Sequence, residues 1–295
     1  MDNNSQSRSR LVLVQNRAGV SIPFQLEELA NSLLVTGLEP PDTYAIASRL
    51  EASLRDEQVQ EIDSAAIEQR VAQLLSILID DTAAERYRAW RRFRYLGRPL
   101  VVCLLGAPGV GKSTTAARLA LRLGIPRVMS TESVREVLRT VVPASVLPEL
   151  HRSVLEVGAG FVRQTEAVGQ AAAAAAAGAC AEGRSVLLVG SHLVPGETRA
   201  RLAERGSDAM VLELLLTLED EALHRSRMLR RLRSDPAMPG VRHLQNFRAV
   251  RSLQQRLVEL AQHNDVVQHD LAGEARLTEW VVDRVIASCE VSTAR

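Results

Sequence analysis

Residues 106–113 read Gly106-Ala107-Pro108-Gly109-Val110-Gly111-Lys112-Ser113, the pattern G-x-x-x-x-G-K-S. Gly109 and Gly111 reach backbone conformations that a Cβ hinders, so consecutive N–H groups can turn inward onto anionic oxygens. Lys112 is placed to bridge the β- and γ-phosphates of a nucleotide, and the Ser113 hydroxyl to ligate Mg²⁺. Lys112 is also the sole lysine of the chain; every other need for positive charge is met by arginine. A compact ammonium on a flexible stem enters a tight phosphate loop where a planar guanidinium does not. The expected cofactors are therefore ATP and Mg²⁺. Gly106, Ala107, Pro108, Gly109, Val110, Gly111, Lys112, Ser113 and Thr114 are expected to bind the nucleotide, with Ser113 as metal ligand.

This chemistry needs a strand before the loop and a helix after it. Leu100 to Leu105 is a continuous apolar run, and Ser113 to Leu123 has helical character. Further apolar runs at Ser185 to Gly190 and Met210 to Leu218, shorter ones near Val128 and Val266 to His269, and intervening helical patterns predict a parallel sheet covered on both faces. One long helix is predicted from about Leu150 to Ala181, through the alanine tract 171–177. Upstream, the pattern predicts a hairpin around Arg17-Ala18-Gly19 and helices near 26–34, 41–54, 64–79 and 83–95. Gly97-Arg98-Pro99 marks the boundary. The expected division is a tail over 1–10, a smaller mainly helical domain over 11–97, and an α/β domain over 98–290.

Other residues bear on the reaction. Between Leu223 and Arg256 stand Arg225, Arg227, Arg230, Arg231, Arg233, Arg242, Arg248, Arg251 and Arg256 against one acid, Asp235. Arg227, Arg230 and Arg231 share a helical face before a loop with Pro236 and Pro239, which suits an arginine lid over a transferring phosphoryl group. Arg227 and Arg231 are the expected catalytic members; a solvated basic face is the plainer reading. In Thr131-Glu132-Ser133-Val134-Arg135, Glu132 can orient an acceptor hydroxyl, or be a helix N-terminal acid stabilised by the dipole. His151 and His192 can contact substrate or be structural. Gly190 to Gly196 is a loop just after an expected strand end, where open α/β sheets place ligands.

Composition excludes several classes. Net charge is +1 from 36 basic and 35 acidic residues, and aromatics are 3%, which argues against nucleic acid as partner. No apolar run reaches membrane-spanning length, and MDNNSQSRSR lacks the apolar core of a secretory signal. Cys103, Cys180 and Cys289 form neither zinc spacing nor a disulfide framework, so a reduced, cytoplasmic setting is expected.

With these residues in view, the chain resembles the 2-phosphoglycerate kinases, P-loop kinases with an N-terminal ATP-cone domain. The likeness rests on Ile22-Pro23-Phe24, Gly37-Leu38 and Tyr44 to Ala47 in the first part. In the second it rests on the phosphate loop, Ser130 to Arg139, Leu150-His151, His192 to Gly196, His224, Arg227 and Phe247 to Arg251. It implies an α/β P-loop kinase sheet preceded by an ATP-cone-like domain, and ATP-dependent phosphorylation of 2-phosphoglycerate to 2,3-bisphosphoglycerate. By that likeness Arg135 and His192 lie on the substrate side, and the first domain binds a regulatory nucleotide or serves as scaffold. The chain departs from the pattern in Glu132, where the family carries Asp, in Val189, where it carries an acid, and in the weakly basic turn Asn16 to Gly19.

The first expectation is a kinase with a small anionic acceptor. Its rival is a degenerate kinase that binds ATP as a regulatory or interaction protein. A kinase acting on RNA ends or nucleosides is allowed by the basic stretch Arg86–Arg94 but disfavoured by charge and aromatic content.

Overall fold

The computed structural model describes residues 11–155, 160–234, 240–273 and 277–293, side chains at 231–234, 240–242, 273 and 288–293 excepted. They fall into two units. One runs to Leu96 and takes in Arg122–Gly124 and the residues from Val282 on; the other comprises Gly97–Leu121 and Ile125–Val281.

In the first unit the hairpin forms: β1 (Leu13–Gln15) pairs antiparallel with β2 (Ser21–Pro23). Its turn is held by the Asn16 carboxamide, which accepts from the Ala18 and Val20 amides at 2.9 and 3.0 Å. A third strand, β3 (Glu61–Asp63), adds parallel to β1. Three residues are too few to show alternation, so this strand has no signature of its own. Four helices follow the expected pattern: α1 (Leu26–Leu33), α2 (Pro40–Asp56), α3 (Ser64–Leu78) and α4 (Asp81–Tyr95). They close around Leu33, Leu50, Leu54, Leu75 and Tyr87.

The second unit carries a five-stranded sheet. Its strands are β4 (Leu100–Leu105), β5 (Arg127–Ser130), β6 (Val186–Gly190), β7 (Met210–Thr217) and β8 (Val267–Asp270). All pairings are parallel, in the order β5-β6-β4-β7-β8. Every β4 residue is fully buried, so both faces of the central strand are covered. On one face Val101, Cys103 and Leu105 pack with Phe161, Ala176, Leu253 and Leu257. Its helices are α5 (Lys112–Arg122), α6 (Thr131–Val141), α7 (Phe161–Ala181), α8 (Glu197–Glu204), α9 (Glu221–Ser234), α10 (Gly240–Gln245) and α11 (Phe247–His263), and α12 (Leu277–Thr293) starts in this unit, its residues from Val282 on counting with the first.

In this unit the start of the long helix, the short helix α10 and helix α8 differ from expectation. The long helix begins at Phe161, not near Leu150; Pro148–His151 is a separate 3₁₀ turn. The carbonyls of Glu149 and Arg152, which a continuous helix would use four residues on, accept instead from Gln164 Nε2, and Arg152 also from Arg135. Helix α8 was not foreseen. Its first turn is held from another element: Glu213 of β7, 2% exposed, accepts from the Gly196 and Arg199 amides at 2.8 and 3.1 Å. A buried carboxylate on a helix N-terminus satisfies amide groups that the helix leaves unpaired.

Candidate active site

β4 ends at Leu105 and the phosphate loop follows at once. Gly109 and Gly111 take φ of +86° and +120°, conformations that favour glycine. Gly106 also passes so near β7 that a Cβ there would lie 2.4 Å from the Leu216 carbonyl oxygen. The first turn of α5 opens directly from the loop, with Thr115 N–H donating to the Gly111 carbonyl at 3.1 Å. A glycine-rich turn thus runs straight into a helix N-terminus, the arrangement that binds polyanions. Lys112 is buried; its ammonium donates to the Ala107 carbonyl at 2.8 Å and to Ser191 Oγ at 3.2 Å. Ser113 and Thr114 are exposed on the helix start.

Ser191 links the loop to a second cluster at the carboxyl ends of β5 and β6. Ser130 caps α6, accepting from the Ser133 amide, and so places Glu132 in the first turn. One Glu132 oxygen accepts from the Ser191 amide at 3.3 Å; the other from Ser130 Oγ at 3.1 Å and Thr131 Oγ1 at 3.3 Å. Thr131 Oγ1 lies 3.0 Å from His192 Nδ1. This closeness depends on Gly190, where a Cβ would fall 1.7 Å from Thr131 Oγ1. The Glu132 side chain is 53% exposed; partial desolvation works to raise its carboxyl, but the Lys112 ammonium, then His192 and the backbone amides, hold it below its ordinary value. Burial pushes the His192 imidazole down to about 4, aided by Arg135 and Lys112 and opposed by Glu132. At neutral pH the pair is a carboxylate beside a neutral imidazole. His192 is 2% exposed, and its Nε2 lacks a hydrogen-bond partner.

The structure therefore brings together Lys112, Glu132 and His192. Val189, where the family pattern has an acid, is a buried apolar strand residue; the carboxylate near Ser191 comes from Glu132. Arg135, one turn on, donates to the Arg152 carbonyl at 2.6 Å and to Glu136 at 2.9 Å. His151 Nε2 stands 3.0 Å from the Val142 carbonyl, so its ring is engaged at the far end of α6. Arg227 is bound to the phosphate loop, donating to the Val110 carbonyl at 3.1 Å and the Leu271 carbonyl at 2.8 Å. That differs from an arginine held over the γ-phosphate. The Arg231 side chain and the loop with Pro236 and Pro239 lie outside the described residues. Sequence reasoning named His224 only within the family likeness and did not name Met228. Both press on the loop: a Cβ on Gly109 would lie 2.4 Å from Met228 Cγ and 3.2 Å from His224 Nε2. Their spacing of four residues on α9 was the only local sign.

Among the described residues no helix is long and apolar enough to cross a membrane, and none group as three or more acidic, histidine or cysteine metal ligands. Beside a phosphate loop Mg²⁺ is held by the loop hydroxyl, phosphate oxygens, waters and a strand-end carboxylate; Ser113 offers the hydroxyl, while apolar Val189 stands at the β6 end.

A parallel sheet whose central strand runs into a glycine-rich loop, a helix N-terminus and a buried lysine defines a P-loop nucleotide-binding domain; its relatives make it a phosphotransferase acting on a hydroxyl. The chain belongs to the 2-phosphoglycerate kinase family. It is 34% identical over 258 residues to the 2-phosphoglycerate kinase of Methanocaldococcus jannaschii, covering 83% of this chain and 82% of that protein. It is 32% identical over 275 residues to that of Methanopyrus kandleri, covering 88% and 83%. No family model matches the chain. Among solved structures, a gluconokinase from Sinorhizobium meliloti 1021 aligns with a TM-score of 0.38 at 16% identity, over 66% of this chain and 97% of that one.

Proposed function

We propose that the chain transfers the γ-phosphoryl group of ATP to the free hydroxyl of 2-phosphoglycerate, giving ADP and 2,3-bisphosphoglycerate. The observation that carries this reading is the meeting of the Lys112 ammonium and the Glu132 carboxylate on Ser191, one from the phosphate loop and one from the strand ends beside it. The named activity of the relatives supports the acceptor.

The loop suits a triphosphate, because its glycines take the positive φ that turns successive amides and α5 begins within it. Bound there, ATP supplies the phosphoryl group and Mg²⁺ a counter-charge, with the Ser113 hydroxyl as the group that would hold the ion. Lys112 exchanges the Ala107 carbonyl and Ser191 hydroxyl for phosphate oxygens, a stronger charge-assisted pairing. Glu132 orients the acceptor hydroxyl and takes its proton as the new O–P bond forms and the bond to the leaving ADP oxygen breaks. Arg227 contributes fixed positive charge beside the loop, with Arg231 assigned to the same helix end. Arg135, His192 and, more remotely, His151 are assigned to the acceptor's anionic groups. Residues 11–97 are assigned to an ATP-cone-like domain and 98–290 to the kinase domain.

The test is ADP release with 2-phosphoglycerate and related hydroxy acids, for the wild type and Lys112→Ala. Acceptor-dependent release by the wild type, lost by on the order of 10²-fold or more in the variant, is expected. The reading fails when no acceptor raises release above background. The buried, apolar Val189 at the β6 end favours the second reading, a nucleotide-binding regulatory protein; tight ATP binding with no transfer to any acceptor would select it.

A further inference from the structure

We infer that His224 is a positioning residue of the phosphate loop, holding the Pro108–Gly109 peptide so that its N–H faces the cradle. This rests on the reading that residues 106–113 hold a nucleotide's phosphates. His224 lies on α9, fully buried, 116 residues from the loop in sequence. Its Nε2 is 2.8 Å from the Pro108 carbonyl oxygen, and its Nδ1 is 3.4 Å from Arg251 Nη1. A guanidinium has donors only, so Nδ1 must accept and Nε2 must carry the hydrogen. The ring therefore donates to Pro108.

Arg251 cannot easily swing away. It also donates to the Leu218 and Glu219 carbonyls, at 2.6 and 3.0 Å, just past the carboxyl end of β7. The imidazole edge meets the Phe247 ring at a centroid separation of 5.4 Å. Sheet end, α11 and α9 together thus fix one nitrogen against one loop carbonyl. The consequence follows from peptide geometry. Among the described residues no peptide bond is cis, and in a trans peptide the carbonyl of one residue and the N–H of the next point to opposite sides. With the Pro108 carbonyl drawn to α9, the Gly109 N–H is turned away from α9, to the opposite side of the loop. Burial, followed by the Arg251, Lys112 and Arg227 charges, depresses the His224 pKa, against the Pro108 bond, which raises it; the ring stays neutral at physiological pH, as this pairing requires.

Gln and Asn substitutions separate positioning from packing. The Gln carboxamide nitrogen reaches the place of Nε2 and can still donate to Pro108, whereas Asn reaches only the place of Nδ1. We expect ATP titrated into full-length His224→Gln to bind within about twofold of the wild type. His224→Asn and His224→Phe should bind about tenfold more weakly, the scale of one buried hydrogen bond. KM for ATP should rise in the same ratio while KM for 2-phosphoglycerate holds, with melting temperatures recorded for each variant. Where His224→Phe does not fold, the Asn and Gln pair decides. Equal ATP affinities for Asn and Gln, with a wild type that binds ATP, overturn this inference alone. A wild type that binds no ATP overturns both it and the proposed function.

Discussion

Gly190→Ala tests whether the ends of β5 and β6 must touch for the site to exist. An added Cβ would lie 1.7 Å from Thr131 Oγ1, 2.7 Å from its Cβ and 2.9 Å from its Cγ2. Ordinary contact needs about 3.4 Å or more, and rotation of Thr131 offers no relief because its own Cβ is among the obstructed atoms. Ser130 and Val189 are registered partners one residue away, so relief must come from parting the two strand ends by roughly an ångström. Overpacking of this kind costs about 3 kcal/mol, at the upper end of its usual range. In a unit of this size that lowers Tm by about 6–12 °C. The same displacement draws Thr131 from His192 and Glu132 from the Ser191 amide, which lie 3.0 and 3.3 Å apart in the wild type. Misplacing a reacting group by about an ångström costs on the order of 10²-fold in rate. Differential scanning fluorimetry and ADP release with 2-phosphoglycerate, at a temperature where the variant is folded, measure the two effects. A variant that melts with the wild type and turns over at its rate would show that the strand ends yield without consequence, and the argument from their contact would fall.

Other perturbations give distinct signatures. Glu132→Gln keeps shape and removes the base; kcat should fall by about 10²–10⁴ while KM for ATP changes by no more than a few-fold, and parallel loss of both would refute its role toward the acceptor. His192 titrates at about 4 in the folded chain, below its unfolded value near 6.5, so the unfolded state binds the extra proton between these pH values. Its contribution to stability is therefore complete above about pH 6.5 and lost as pH falls toward about 4; urea melts at pH 7 and 5 should show this loss in the wild type and less of it in His192→Phe. Glu213→Gln turns an amide donor or a neutral acceptor toward the Gly196 and Arg199 N–H groups, and should cost about 2 kcal/mol, seen as a Tm fall of about 4–8 °C.

Much of the scaffold was readable because its signals are local. Leu100–Leu105 announces a covered central strand by being apolar without interruption, and the loop glycines announce positive φ by lacking Cβ. Where signals were short or shared with another element, reading failed. β3 is a strand only because β1 lies beside it. The stretch from Glu149 to Leu155 has helix-favouring residues, yet the Glu149 and Arg152 carbonyls are taken by Gln164 and Arg135. Arg227 reads as one more lid arginine until its carbonyl partners, Val110 and Leu271, are known.

A contiguous backbone segment with its flanking strand and helix is enough to reveal a phosphate-binding loop, its first residue and the single ammonium that serves it. What meets the loop depends on how the folded chain brings distant segments together. Glu132 and Ser191 lie 59 residues apart, Thr131 and His192 61, and His224 and Pro108 116. No periodicity spans such distances; strand order and the close approach at Gly190 bring those atoms within hydrogen-bonding range.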